Sequence, residues 1–221
     1  MKLACNALVK LLAGLILLGA LLFLPAWTWN YPHAWLFLAL LFIPMLIMGI
    51  VMLFRAPDLL AKRLDGREKE KAQKGVIALA GLFLPLGFVF SALDFRFAWS
   101  HVPFWCSTLG AVLFLIGYGM YAEVMRENAF LSRKIEVQDG QRVIDTGLYA
   151  IVRHPMYLAT LLMFLPIPLI LGSFWGLCAF AAYPILIAVR ILDEERVLNE
   201  GLAVYADYRK KVKYRLIPFV W

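Results

Sequence analysis

The chain has 221 residues, 63% of them hydrophobic, 17% charged and 14% aromatic, with a formal net charge of +7 and a mean hydropathy of +0.77. Soluble domains carry only about 45–50% apolar residues, so this composition excludes a soluble globular class and defines a polytopic membrane protein. The basic balance reads as membrane topology and contact with anionic lipid, and no motif points to nucleic acid.

Lys2 and Lys10 precede an apolar run over 11–29. A signal peptide is the alternative, but the run is too long and has no small-x-small cleavage site before Pro25, so it reads as a retained span. Trp27, Trp29, Tyr31 and Trp35 form an aromatic belt at the outer interface. A second span over 33–54 contains Pro44. The charge-rich stretch 55–74 follows, where Leu59, Leu60 and Leu64 make a short apolar stripe that fits either an interfacial helix or a solvated loop. Further spans are predicted over 75–93 and 104–125. Glu123, in the last turn of the latter, is placed to pair with Arg126. The polar segment 128–146 is too short and too charged to span and reads as a flap or re-entry segment. Two more apolar runs, 155–171 and 174–192, complete an all-α fold of about six transmembrane helices. Beyond them, 193–213 carries an amphipathic pattern at Val197, Leu198, Leu202 and Tyr205, which reads as a cytosolic C-terminal helix on the membrane surface or over the site. Apart from Arg96, every Lys and Arg falls on one side of this arrangement, which makes that side cytoplasmic with both termini inside. The two halves show no internal repeat, which argues against a secondary transporter.

Cys5, Cys106 and Cys178 are scattered in or beside apolar runs and read as buried thiols. His33, His101 and His154 are too dispersed to share a metal, so no metal site is expected.

The chemistry concentrates at two clusters, Gly147 to Tyr157 and Arg190 to Leu198. Between them lie two apolar legs joined by Gly172-Ser173, each about 25 Å long at 1.5 Å per helical residue. A two-residue link makes the legs antiparallel and returns Arg190 to the level of His154. Pro155 suits the first position of a helix, and the N–H groups that follow it, including those of Met156 and Tyr157, form a site for an anion. Arg190 and Glu194, four apart, share a helix face with Tyr183. Donors, a cation and a carboxylate together fit a zwitterionic ligand beside an acidic substrate.

In chain order the sequence carries Asn128-x-Phe130-x-Ser132, Gln138, Gly147-x-Tyr149, Arg153-His154-Pro155-x-Tyr157, Glu194-Glu195-x-x-Leu198, Tyr205-x-x-Tyr208 and Arg215-Leu216-Ile217-Pro218. This ordered set, from Glu123 onward, resembles the isoprenylcysteine carboxyl methyltransferase family of integral membrane enzymes and its bacterial relatives. The resemblance implies S-adenosylmethionine as cofactor and methylation of a carboxylate. It implies cofactor contacts from Gln138, the segment Gln141, Arg142, Val143 and Ile144, Tyr149, the segment His154, Pro155, Met156 and Tyr157, and Glu194, with Arg190 facing and positioning the substrate. It also implies a methyltransferase-like catalytic region over 123–221, preceded by membrane helices over 1–122. Gln141 stands where the family often has His, and Leu148 where bacterial members often have Pro.

The residues agree with that implication. The methionine carboxylate fits the helix start, Glu194 suits the ammonium or hydroxyl groups, and Tyr149, Val143 and Ile144 suit the adenine. The expected partners are membrane lipids and a lipophilic or lipidated acceptor entering between helices. Nothing in the sequence sets the oligomeric state. The competing readings are a phospholipid N-methyltransferase, a membrane reductase using a nicotinamide cofactor, and a non-catalytic membrane protein.

Overall fold

The structure is a computed structural model that describes residues 2–65, 71–131, 140–202 and 204–221. Among the described residues there are helices and turns but no strand. Four long helices come first: α1 (Lys2–Ala26), α2 (Pro32–Arg55), α4 (Lys71–Phe97) and α5 (Phe104–Glu127), with the short α3 (Pro57–Leu64) between α2 and α4. Pro32 and Pro57 stand in the first turns of α2 and α3, where a missing N–H costs nothing.

The predicted fifth span is a broken leg. It consists of α6 (Pro155–Phe164) and α7 (Ile167–Ile170). Pro166 and Pro168 explain the break, since proline lacks the donor and clashes with the preceding turn. The leg from Pro155 to Ile170 measures about 24 Å at 1.5 Å per residue, short of a bilayer core of about 30 Å. The return leg is α8 (Trp175–Phe180) followed by α9 (Tyr183–Gly201), which runs well past the apolar stretch. The short α10 (Tyr205–Lys211) closes the helical part. Among the described residues, five helical stretches are long and apolar enough to cross a membrane, counting α8 and α9 as one, and the Pro155–Ile170 leg is the sixth apolar element. The chain is thus a multi-pass all-α membrane protein.

The core lies between α1, α2, α4, α5 and the α7–α8 hairpin. Leu22, Phe37, Phe114, Ile170, Leu171 and Phe180 are fully buried there. Phe114 meets Phe37 edge-on at 6.2 Å, and Phe180 meets Phe88 edge-on at 5.5 Å. Gly117 lets α5 approach α6 closely, since a Cβ there would come within 2.8 Å of the Ala159 carbonyl oxygen. Outward faces of α1 and α2 expose Ile16, Leu17, Ile43 and Ile47, as lipid-facing helices do.

A buried polar knot holds the hairpin turn at one end of the bundle. Gly172 takes φ +77°, a left-handed conformation that suits glycine. Ser173 Oγ donates to Asp94 Oδ2 at 2.6 Å and accepts from the Gly176 N–H at 3.0 Å. Asp94 also accepts from the Ser100 N–H at 2.7 Å and from Ser100 Oγ at 2.5 Å. Tyr31 Oη, wholly buried, donates to the Leu171 carbonyl at 2.7 Å.

At the opposite end α3 lies across the bundle. The stretch that fitted either an interfacial helix or a loop is helical over Pro57–Leu64, with Leu59 and Leu60 packed against Val124, Met125 and Tyr149. Arg63 bonds Tyr121 Oη and sits 5.4 Å from its ring centroid. Lys10 Nζ donates to the Leu64 carbonyl, which ties α1 to the same end.

Candidate active site

The α3 end of the bundle carries an open pocket with a mixed polar and apolar lining. Four parts build it. The first is the exit of α5, where Asn128 Oδ1 accepts from the Phe130 N–H at 2.9 Å and turns the chain. The second is 140–146 and the 3₁₀ turn Gly147–Ala150. The third is the start of α6, and the fourth is α9 with α10 folded back across it. Of the residues expected to hold the cofactor, Gln141, Arg142, Val143, Ile144, Tyr149, His154, Met156 and Tyr157 line this one pocket, and so do Glu194 and Arg190. Pro155 begins α6 but is buried behind the lining. Gln138 lies outside the described residues.

Arg190 and Glu194 do share a face of α9, and a third group joins them. Tyr157 Oη donates to Glu194 Oε2 at 2.6 Å and accepts from Arg190 Nε at 3.0 Å. One phenol therefore couples the residue expected to meet the substrate with the one expected to meet the cofactor. Tyr183 stacks on Phe164 at 4.9 Å and is absent from the pocket lining.

The helix start offers fewer donors than the sequence implies. Tyr157 and Leu158 N–H groups turn back onto the His154 carbonyl, at 3.1 and 3.2 Å. The N–H groups of Arg153 and His154 donate to the carbonyls of Tyr214 and Arg215, both at 2.9 Å. The segment after α10 therefore clamps the His-Pro motif from behind.

Arg153 and His154 of the lining join Glu195 and Arg215 behind it in an ionic cluster that the sequence reading missed. Glu195, with a side chain 5% exposed, pairs through Oε1 with Arg153 Nε at 2.7 Å and through Oε2 with Arg215 Nε at 2.9 Å. His154 Nε2 approaches Glu195 Oε1 at 3.4 Å. Arg153 also donates to the Val212 carbonyl at 3.1 Å. The signal was present in the Glu-Glu pair: consecutive helical residues are about 100° apart, so only one of the two can face a pocket while the other turns inward.

Sequence reasoning gave the tyrosines of the roof no role. Tyr205 and Tyr208 of α10 are buried and line the pocket together with Val197, Leu198 and Leu202. Tyr208 Oη donates to the Tyr149 carbonyl at 2.7 Å. Burial, the largest influence, raises the Tyr149 phenol above its ordinary value and keeps it protonated, opposed by the amide of Asn128, which donates to it at 2.9 Å. Lys211 of α10 pairs with Asp145 at 2.7 Å and fastens the roof to the 140–146 segment. Glu123 pairs with Arg126 at 2.6 Å, as the sequence predicts, and takes no part in the lining.

Fold and site define a multi-pass helical membrane protein with a polar, tyrosine-roofed pocket at one end of its bundle. Residues 105–204, which include most of that lining, match the phospholipid methyltransferase family. That family falls in one superfamily with the isoprenylcysteine carboxyl methyltransferases. Among individual proteins, the chain is 29% identical over 97 residues to the uncharacterized protein YpbQ of Bacillus subtilis (strain 168), a match covering 43% of this chain and 58% of YpbQ. It is 30% identical over 92 residues to the delta(14)-sterol reductase TM7SF2 of Mus musculus, covering 39% of this chain and 22% of the reductase. The chain thus spans less than two thirds of either relative.

Proposed function

We propose that the protein is an S-adenosylmethionine-dependent methyltransferase that acts at the membrane–cytosol boundary on the carboxylate of a lipophilic or lipidated acceptor. The observation that carries this reading is that Gln141 to Ile144, Tyr149, Tyr157, Arg190 and Glu194, all within the stretch matching the methyltransferase family, meet in one pocket. Residues 123–221 would then be the catalytic region, with 1–122 as its membrane anchor.

The lining fits such a cofactor. Val143, Ile144 and Tyr149 offer apolar and aromatic surface for a purine, and the Glu194 carboxylate suits an ammonium or hydroxyl group. When bound, the cofactor supplies an electrophilic methyl group on sulfur. A carboxylate acceptor is already ionised at neutral pH, so the chain's task is to hold, align and exclude water. Arg190 presents a planar fork to the acceptor carboxylate. Tyr157 holds Arg190 Nε and Glu194 at once, which sets the fork relative to the cofactor side of the pocket. Tyr208, bonded to the Tyr149 carbonyl, keeps the roof down and water out.

The family name and the sterol reductase relative favour two competitors. An amine acceptor requires a proton acceptor; Glu123 and Glu195 are each held by guanidinium groups, and Glu194, the carboxylate in the lining, is assigned to the cofactor. That supports a carboxylate acceptor over an amine. A reductase would bind NADPH. Calorimetry of the purified chain with S-adenosylmethionine, its demethylated product and NADPH tests the reading. Micromolar-scale binding of the first two is expected, as for a polar cofactor held by a few directed contacts. Saturation by NADPH alone, or by none of the three up to millimolar concentration, would reject it.

A further inference from the structure

Tyr205 is 4% exposed, lines the pocket, and its hydroxyl has no hydrogen-bond partner among the described residues. Buried phenol groups ordinarily find one, and leaving one unmade is costly. The contrast with Tyr208, one turn along α10, is direct: that hydroxyl is committed to the Tyr149 carbonyl at 2.7 Å. Tyr208 fastens the roof, while Tyr205 holds a buried polar group toward the pocket.

The surroundings define what would complete it. Tyr205 clusters with Val143, Leu198 and Leu202, an apolar surface suited to a flat base. Burial and then the fields of Glu195 and Glu194 raise its phenol, so it stays protonated and can donate as well as accept. The same carboxylates disfavour an anionic ligand group at this point. A neutral hydroxyl beside a base satisfies both conditions, because it can accept from Tyr205 while donating to a carboxylate.

We propose that the Tyr205 hydroxyl hydrogen-bonds a ribose hydroxyl of the adenosyl group, an inference that rests on the adenosylmethionine reading above. Tyr205 thereby becomes a cofactor-contacting residue on a roof helix that begins beyond the stretch matching the methyltransferase family.

The test is a cycle of calorimetric titrations on the purified full chain, wild type and Tyr205→Phe. The probes are S-adenosylhomocysteine and its analogues lacking the 2′- or the 3′-hydroxyl. Tyr205→Phe should weaken S-adenosylhomocysteine about three- to tenfold, the effect of one neutral hydrogen bond. One of the two deoxy analogues should bind both proteins equally. The ligand-free variant should melt no lower than wild type, since it loses a hydroxyl that had no partner. Unchanged affinity in Tyr205→Phe, an undiminished loss against both deoxy analogues, or a lowered ligand-free melting temperature would each overturn the assignment. Failure of the wild type to bind S-adenosylhomocysteine is a different result, because it removes the adenosylmethionine reading and this inference with it.

Discussion

Glu194 and Glu195 are neighbours with opposite surroundings, and their substitutions should separate accordingly. Glu195→Gln leaves Arg153 and Arg215 facing each other without a carboxylate, and breaking a buried ion pair costs about 3–5 kcal/mol. A thermal melt in detergent should show that loss. Glu194→Gln keeps the fold and removes a charge-assisted ligand contact worth about 1.5–3 kcal/mol, so cofactor affinity should fall roughly ten- to a hundredfold. Arg190→Ala should chiefly abolish turnover and Arg190→Lys restore it only in part, since Lys cannot form the fork. The Tyr157 hydroxyl adds a condition on these outcomes. Because it touches both side chains, the effects of Arg190→Ala and Glu194→Gln on cofactor affinity should be non-additive, and Tyr157→Phe should abolish that coupling. Additive effects in the wild-type background would show that the phenol transmits nothing.

Two elements carry the next predictions. The roof helix α10 is fastened to 140–146 by Asp145 and Lys211, both solvent-exposed, so the latch is weak and screened by salt. The hydrogen bond from Lys211 and then its charge hold the Asp145 carboxyl below the usual carboxylate range. A depressed value means the latch contributes fully above the ordinary aspartate pKa of about 3.9 and is lost as pH falls through the lowered one. Hydrogen exchange in α10, corrected for intrinsic rates, should therefore match at pH 7 and 5.5 but rise in Asp145→Asn or in high salt. At the far end, Ser173→Ala removes a donor to Asp94 and the acceptor for the Gly176 N–H. A stability loss of about 1–3 kcal/mol is expected, with cofactor affinity unchanged in the same preparation. The hairpin itself was legible in the sequence because two apolar legs and a Gly-Ser link leave few arrangements. Pro166 and Pro168 carry the signal of the break, which the apolar length of the leg masks. Helix α10 was legible only as an amphipathic pattern: Leu202 is extended, and that interruption lets Tyr205 and Tyr208 turn down over the pocket instead of continuing α9.

For the whole molecule, the pocket, α3 and α10 share one end, and the Ser100–Ser173 knot occupies the other. On the Lys/Arg bias the pocket end is expected to face the cytoplasm. Cysteines introduced at the exposed positions Asp65 and His101 test this: impermeant reagent should label His101→Cys in intact cells and Asp65→Cys only after permeabilisation. The reverse pattern would invert the molecule. The spans were readable from sequence because hydropathy acts over whole helices. The Arg153–Glu195–Arg215 cluster was not, because its members lie 42 and 20 positions apart and only the folded hairpin and tail bring them together. The tail clamp also dictates an order of events during biosynthesis. Residues 212–216 are synthesised after all six apolar elements described above, yet they supply Arg215 and the carbonyls that Arg153 and the His154 N–H require. Membrane insertion and ligand competence are therefore separate milestones. A released chain truncated after Lys211 should insert fully yet fail to retain S-adenosylhomocysteine, whereas the chain carried through to Trp221 should retain it.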